Sequence, residues 1–493
     1  MTKDRALPSI GLTGQAEDWF DINWQTIQQR VSNLRQRIFR ATQNGQWNKV
    51  RSLMKLMLRS YANLLSSVHK VTIENKGKRT PGVDNRLALT AKARMKLARD
   101  MLKLKAWNVQ PAVRLYIPKA GGKQRPLGIL TIKNRVAQAI VKNALEPSWE
   151  ARFETHSYGF RPGRSAHDAI EQCFNRLNKT KKDRWVLDAD IRGAFDNISH
   201  NFILEKLGPV PGRELIKQWL KAGYVEDEVL HDTTSGTQQG GVISPLLANV
   251  ALDGMQSLLG QQSGFIRYAD DFVVTARSRE ELESIMPTLR DWLAVRGLEM
   301  NAEKTKIVSI EDGFDFLGFN VKHYRGKCLI KPQKEKVLTL VRTISEWLKK
   351  HPSDETVGVI IHLNRILRGW SQYYKFAVSS QTFHYAASQI WSKIWKWCRR
   401  RHPKKNAAWV KRKYFRISDG QDWSFFAEGS AGMTYSLFNV ANVRIRRHRK
   451  VQGAASPDDL SLLDYWIKRN SGRDEHFADA DSAAHTVKKM LRA

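Results

Sequence analysis

The sequence predicts an α+β protein of several domains, and three observations carry that reading. Up to about residue 330, short apolar runs bounded by Gly, Pro or Asp alternate with amphipathic helical stretches. From about residue 331 the pattern turns to helices alone, and near residue 416 it turns again to a small strand-and-loop module. At 493 residues there is room for three or four domains, and 42% apolar content with 16 Trp fits sizeable cores.

Charge narrows the partner. The 82 Lys and Arg against 48 Asp and Glu leave +34, with cations spread through the whole chain, so a polyanion is implied and nucleic acid is the first candidate. A membrane surface is the rival, but no apolar run approaches the ~18 residues of a spanning helix. The polar start, Met1 to Arg5, lacks the apolar core of a signal peptide. Cys173, Cys328 and Cys398 lie far apart. They exclude a Cys-rich zinc module and a disulfide framework, and they fit a reducing cytoplasm with no membrane partner.

Residues 1–90 read as a helical extension. Within 17–70, Trp24, Ile27, Val31, Leu34 and Ile38 recur at helical spacing, Asn44-Gly45 breaks it, and Val50, Leu53, Met57, Tyr61 and Leu64 resume it. The basic residues on the remaining faces suit either solvent or RNA. Residues 113–130 read as two short strands around Gly121-Gly122, carrying Arg114, Lys119, Lys123 and Arg125. Such a hairpin can clamp a triphosphate, since Arg offers paired hydrogen bonds and Lys a point charge. A helix with Val136, Ile140, Val141 and Leu145 follows, then the loop from Ser157 to Ser165.

Trp185 to Asp190 reads as a strand ending in a carboxylate, with Asp188 and Asp190 on one face. Gly240-Gly241 permits close backbone approach just before an apolar helix from Leu246. Phe265 to Val273 reads as a β-hairpin with Asp270 and Asp271 at its turn. A charged helix over 279–297 and strands up to Phe319 complete the region.

The helices beyond 331 carry apolar stripes of bundle type: Val337 to Leu348, Ile361 to Tyr374, and Ile390 to Cys398. Their end is basic. Arg399, Arg400, Arg401, Lys404, Lys405, Lys411, Arg412 and Lys413 interleave with Trp397, Trp409, Tyr414 and Phe415, a composition suited to phosphate contact and base stacking. A second cluster, Arg444, Arg446, Arg447, Arg449 and Lys450, falls in the C-terminal module, and 471–493 reads as a polar tail.

Two adjacent carboxylates at a tight turn repel one another unless a cation sits beside them. A third acid at another strand end, Asp190, makes the three a candidate for two-metal phosphoryl transfer, in which ions ~3.5–4 Å apart are bridged by short carboxylates. Asp190 and Asp270 are the natural bridging pair, with Asp271 beside them.

Here an ordered set of motifs becomes specific. Tyr268-Ala269-Asp270-Asp271 resembles the Tyr-x-Asp-Asp signature of reverse transcriptases. Around it stand the basic hairpin, Ser157-Tyr158-Gly159-Phe160-Arg161-Pro162-Gly163, Asp190-Ile191 to Phe195-Asp196, Gln239-Gly240-Gly241, Leu298 to Lys304-Thr305, and Phe316-Leu317-Gly318-Phe319. Together they resemble bacterial group II intron-encoded proteins, which are reverse transcriptases and RNA-splicing maturases. Arg368 to Tyr374 and Arg400 to Pro403 are similar to that family's thumb, and Ser456-Pro457-Asp458-Asp459 through Trp466 to the end of its DNA-binding domain. The likeness covers residues 20–470.

The resemblance implies a right-hand polymerase: fingers and palm over 91–330, thumb or maturase domain over 331–415, DNA-binding domain over 416–470. It implies RNA-directed DNA synthesis, splicing of a group II intron RNA, and intron mobility by target-primed reverse transcription. Asp190, Asp270 and Asp271 would hold two Mg²⁺ ions, with Mn²⁺ able to substitute. Lys119 and Arg125 would meet the incoming deoxynucleoside triphosphate, and Phe195 would exclude a 2′-hydroxyl. Gln239, Gly240 and Tyr268 would line the nucleotide pocket, with Lys304 near the primer end. The basic thumb block would bind intron RNA, and the Arg444–Lys450 cluster the DNA target and primer. Gln238 replaces the family's Pro and Asn85 its Gly. No Cys follows Cys398, so the paired-cysteine His-Asn-His nuclease of many relatives is not expected, and priming from a nascent strand at a replication fork takes its place. The alternatives are a non-catalytic splicing cofactor and a retron- or CRISPR-linked reverse transcriptase.

Overall fold

The computed structural model describes residues 18–102, 109–118, 124–178, 182–260, 263–418 and 421–471. Its first helix, α1 (Trp24–Gln43), starts on Asn23, whose side chain accepts from the Thr26 amide, and stops at Asn44-Gly45. α2 (Trp47–Arg59) buries Val50, Leu53, Met54 and Met57. The single second arm read from periodicity is in fact two helices. Ser60 becomes extended, and its hydroxyl caps α3 (Tyr61–His69) at the Asn63 amide. Ahead of α4 (Ala91–Leu102), Asn85 sits at φ 49°. That left-handed backbone is natural for Gly and open to Asn, which explains why Asn can stand there.

β1 (Ala112–Pro118) and β2 (Gln124–Ile129) form the expected antiparallel pair, with Arg125 opposite Ile117. α5 (Ile132–Glu150) is buried along most of its length, and α1, α2 and α3 pack on it. The chain then runs through α6 (Ala166–Leu177), β3 (Trp185–Asp190), α7 (Ala194–Asn197), α8 (His200–Leu207) and α9 (Arg213–Lys221). After β4 (Tyr224–Glu226) and β5 (Val229–His231) come α10 (Ser244–Ala251) and α11 (Met255–Leu258). β6 (Gly264–Tyr268), β7 (Asp271–Ala276), α12 (Arg279–Ala294) and β8 (Lys306–Ser309) follow.

Two four-stranded sheets result. β4 pairs in parallel with β1, giving the order β2-β1-β4-β5. The other sheet is fully antiparallel in the order β6-β7-β3-β8. One face of that second sheet, with Leu187, Ala189, Phe265, Phe272 and Val274, closes the large core shared with α1–α5 and α7–α12. The other face, with Val186, Ile266 and Val273, packs on α6 and on a three-stranded sheet of β9 (Phe314–Phe316), β10 (Phe319–Tyr324) and β11 (Lys327–Pro332).

α13 (Lys334–Lys350), α14 (Thr356–Tyr374), α15 (Ser380–Arg401) and α16 (Ala407–Tyr414) build the helical region, with Ile344, Leu363, Ile390, Ile394 and Trp397 at its centre. Residues 416–470 do not gather into one body. β12 (Phe415–Ser418), β13 (Gln421–Glu428) and β14 (Thr434–Ser436) pack on that helical core through Phe415, Phe425 and Val440. Val451, Ala455 and Trp466, the last on α17 (Leu463–Ser471), instead join the core beneath the second sheet. Among the described residues no helix is long and apolar enough to cross a membrane.

Candidate active site

The antiparallel register brings the acids together. In β3, Asp190 lies directly opposite Asp271 of β7, and Asp271 is opposite Tyr268 across the hairpin. The turn is therefore two residues, Ala269 and Asp270. This refines the hairpin read from sequence, since Asp271 belongs to the strand rather than to the turn. Directly opposed residues of an antiparallel pair have side chains within ~5.5 Å, so Asp190 and Asp271 meet, with Asp270 next to them on the turn. The bridging pair expected from sequence is Asp190 with Asp270. Across the strands Asp190 faces Asp271, and Asp270 sits on the adjoining turn.

Burial pushes the Asp271 carboxyl up to about 7, reinforced by the charges of Asp270 and Asp190 and by a hydrogen bond with Asp190. Burial, with Asp315 and Asp190 close by, likewise raises Asp188 to about 6. Asp190 is held by the following loop. Its Oδ2 accepts from Lys304 Nζ at 2.8 Å and from Asn301 Nδ2 at 3.2 Å, while its carbonyl accepts from the Asn301 amide. The bond to Asp190 raises the Lys304 ammonium above its ordinary value, helped by Asp271 and Asp270. Crowded carboxylates, Asp271 among them raised to about 7, with one lysine as counter-charge, fit a hard divalent cation taking oxygen ligands. Among the described residues no three acid, His or Cys side chains enclose a metal ion by themselves. Sites of this chemistry complete their shell with substrate phosphates.

The turn itself is strained. Ala269 has φ 59°, and a non-Gly residue there costs about 1–3 kcal/mol. A neighbouring loop supports it. Residues 156–158 add to the edge of β6 through Arg267 N to His156 O and Tyr158 N to Arg267 O, at 2.9 and 2.8 Å. A Cβ on Gly159 would lie 2.3 Å from the Ala269 nitrogen, so only Gly allows this approach.

Beside the acids, Phe160 meets Phe195 edge-on at 6.1 Å between ring centroids. Phe195, on α7, forms one wall of a cavity of about 410 Å³ with Arg114, Pro126, Gly128, Asp196, Gln238 and Gln239. Gln239 closes two sides, with Nε2 donating to Asp196 Oδ2 at 3.0 Å and its carbonyl accepting from the Gly128 amide at 2.6 Å. Gly240, at φ 112°, has no room for a Cβ against the Gly128 carbonyl. The cavity therefore lies between the sheet of β1, β2 and β4, the short helix α7 and the 232–239 loop.

The structure thus gathers Asp190, Asp270, Asp271 and Lys304 at one point, and Phe195 and Gln239 around the adjoining cavity, with Gly240 against Gly128 behind it. Arg125 is exposed on β2, and Lys119 lies outside the described residues. Tyr268 is half-buried and packs with the core beneath the sheet. Sequence reasoning misses Asn301 and Asp196 as functional residues, although both stand inside motifs already noted.

The two basic clusters differ from expectation in their aromatics. Trp397, Tyr414 and Phe415 are buried in the helical core, so they serve packing and cannot stack on bases. Trp409 is partly exposed, with Lys405 and Lys413 over its ring. Arg399, Arg400, Lys404, Lys405, Lys411, Arg412 and Lys413 are exposed. Arg401 is engaged: it donates to the Pro352 and Asp354 carbonyls and covers Trp397. In the second cluster, Arg444, Arg446, Arg447 and Arg449 are exposed, Arg447 pairing with Glu171 at 3.0 Å, while Lys450 is half-buried.

Comparison with known proteins agrees with this layout. Residues 117–321 match the family described as reverse transcriptase (RNA-dependent DNA polymerase), residues 19–101 the N-terminal domain of reverse transcriptase, and residues 337–415 the group II intron maturase-specific domain. Protein YkfC of Escherichia coli is 31% identical over 325 residues, covering 57% of this chain and 85% of that protein. The group II intron-encoded protein LtrA of Lactococcus lactis is 29% identical over 353 residues, 57% of each chain. Maturase-like protein 1 of Euglena gracilis is 23% identical over 371 residues, covering 72% of this chain and 77% of that one.

Proposed function

The chain belongs to the group II intron reverse transcriptase/maturase family and is an RNA-directed DNA polymerase, and from that premise we propose that Asp190, Asp270 and Asp271 form its polymerising centre. The observation that carries this reading is the cross-strand pairing of Asp190 with Asp271, with Asp270 on the adjoining turn. Two Mg²⁺ ions held there, or Mn²⁺ in their place, would neutralise the triphosphate and make a primer 3′-hydroxyl more acidic. The chain's own residues do the rest. Asp271 would give up its proton to cations held there, and Lys304 and Asn301 orient Asp190. Arg125, with Lys119, grips the triphosphate, while Gln239 and Gly240 form the pocket floor. The Phe195 ring, one wall of the adjoining cavity, would exclude a ribose 2′-hydroxyl.

The exposed cations at the end of α15 and on α16 bind the parent intron RNA and promote its splicing, and the Arg444–Lys450 segment meets target DNA and primer. Incorporation on an RNA template tests the centre. Wild-type protein should extend a DNA primer with deoxynucleotides and stop on chelation of divalent ions. Phe195→Ala should raise ribonucleotide incorporation tenfold or more relative to deoxynucleotides. Unchanged discrimination would remove Phe195 from this role.

A further inference from the structure

Arg267 is an unusual resident of a β-strand core. It is fully buried on β6, and strand alternation turns it away from the three acids, onto the face that carries Phe265 and Phe272. Its guanidinium donates from Nη1 to Asn249 Oδ1 at 2.9 Å and to the Ala269 carbonyl at 3.1 Å. Asn249, on α10 and also buried, donates from Nδ2 to the Gly159 carbonyl at 2.9 Å. Gly159 is the residue pressed against the Ala269 amide. The strained turn is thus held from two sides by one buried chain of hydrogen bonds running Gly159, Asn249, Arg267, Ala269. Burial lowers the Arg267 guanidinium to about 10, and the neighbouring charges of Glu154, Asp253 and Asp270 partly offset this. A buried cation needs a function or a close partner to be kept. Its Nε and Nη2 have no hydrogen-bond partner among the described residues, so satisfaction of Arg267 itself does not explain its presence.

We infer that Arg267, anchored by Asn249, is a positioning residue: from the far side of the sheet it fixes the Ala269–Asp270 turn so that Asp270 and Asp271 face the reacting groups together. The inference rests on the polymerase reading of those acids. It requires the reach and bulk of the guanidinium, which set Nη1 between Asn249 and the Ala269 carbonyl while Nε and Nη2 fill the cavity. Lys keeps the charge but lacks that bulk.

The test compares wild type with Arg267→Lys and Asn249→Ala, the latter leaving Arg267 and its charge in place. Amide exchange of the peptide over 264–273, measured in metal-free protein, reads the turn without reference to activity. Both variants should exchange there at least tenfold faster while the α13–α16 helices keep wild-type protection. RNA-templated extension should fall in kcat by tenfold or more with KM for the deoxynucleotide within threefold, and Mn²⁺ titration should need several-fold more ion for half-saturation. Ala269→Gly, which relieves the left-handed strain, should restore part of the activity that Asn249→Ala removes. If Arg267→Lys fails to fold, Asn249→Ala gives the same readings. Wild-type exchange and kcat in folded Asn249→Ala would overturn the inference, as would faster exchange spread evenly over the whole protein. A wild-type protein that extends no primer would instead contradict the polymerase reading beneath it.

Discussion

Ala269 carries a methyl group on backbone that favours glycine, and Gly159 lacks the Cβ that would collide with it. The two residues form a matched pair. Gly159→Ala should force the loop and turn apart, destabilising the protein by about 1–3 kcal/mol by analogy with overpacked cores and reducing primer extension at least tenfold. A thermal melt with an extension assay checks both. At this scale the acids are legible because a carboxylate ending an apolar strand is seldom a packing residue. Asp190, Asp270 and Asp271 therefore stand out from sequence. Asn249 and Arg267 do not, because their roles depend on α10 lying against β6, and nothing local in either segment signals that packing. The cross-strand facing of Asp190 and Asp271 is not legible for a related reason. Spacing along the chain does not give cross-strand register, and the register selects Asp271.

At the scale of elements, the segment from Val443 to Ser471 is a strap. Asp168, buried at the start of α6, accepts from His448 Nε2 at 2.9 Å, Arg469 Nη2 at 2.7 Å and the Val451 amide at 2.7 Å. Trp466 covers Gly163, where a Cβ would stand 2.6 Å from its ring. Farther along, Arg35 of α1 grips Asp458 with two hydrogen bonds and Glu146 with an ion pair. The strap therefore joins the first helix, the palm-like sheet and the C-terminal residues. Burial raises the Asp168 carboxyl, but the His448 hydrogen bond, the Arg469 and His448 charges and the Val451 amide outweigh it and hold the group well below the usual carboxylate range. Arg164 and Lys450 also lie within its field.

Because its folded pKa is depressed, Asp168 contributes fully above the unfolded value of about 3.9 and loses that contribution as pH falls below it. Asp168→Asn should cost about 3–5 kcal/mol near neutrality, as expected when one partner of a buried ion pair is removed, and less at pH 3. Chemical denaturation at the two pH values measures this, and an equal loss at both would contradict it. From sequence the strap reads as part of one C-terminal module. Nothing local in that segment says against which body Trp466 packs.

Over the whole molecule, the +34 charge and the change of pattern near residue 331 are legible, since both are summed over many residues. The α13 stripe is followed, but the α14 core runs through Val359, Ile360 and Leu363, and Ile361 and Trp391 of the expected stripes are exposed. What composition does not resolve is which members of a cation-aromatic block are available to a partner. Arg401 is tied to the 352–354 loop, and three of the four aromatics are core. The exposed cations thus make the better test of RNA binding. Replacing Arg399, Arg400, Lys404 and Lys405 with Ala should weaken intron RNA binding and flatten its log–log salt dependence by about 0.7–0.9 for each phosphate no longer neutralised, with the melting temperature little changed. An unaltered slope in a salt titration would mark that surface as merely solvated.

Asp190, Asp270 and Asp271 are the proposed centre of DNA polymerisation on an RNA template. The most direct measurement is extension of a DNA primer annealed to an RNA template, in Mg²⁺, by wild-type protein and by Asp270→Asn with RNA affinity measured in parallel. Wild type should extend the primer, Asp270→Asn should be at least a thousandfold slower, and the two should bind RNA equally. Full extension by a folded Asp270→Asn protein would show that these acids are not the polymerising centre.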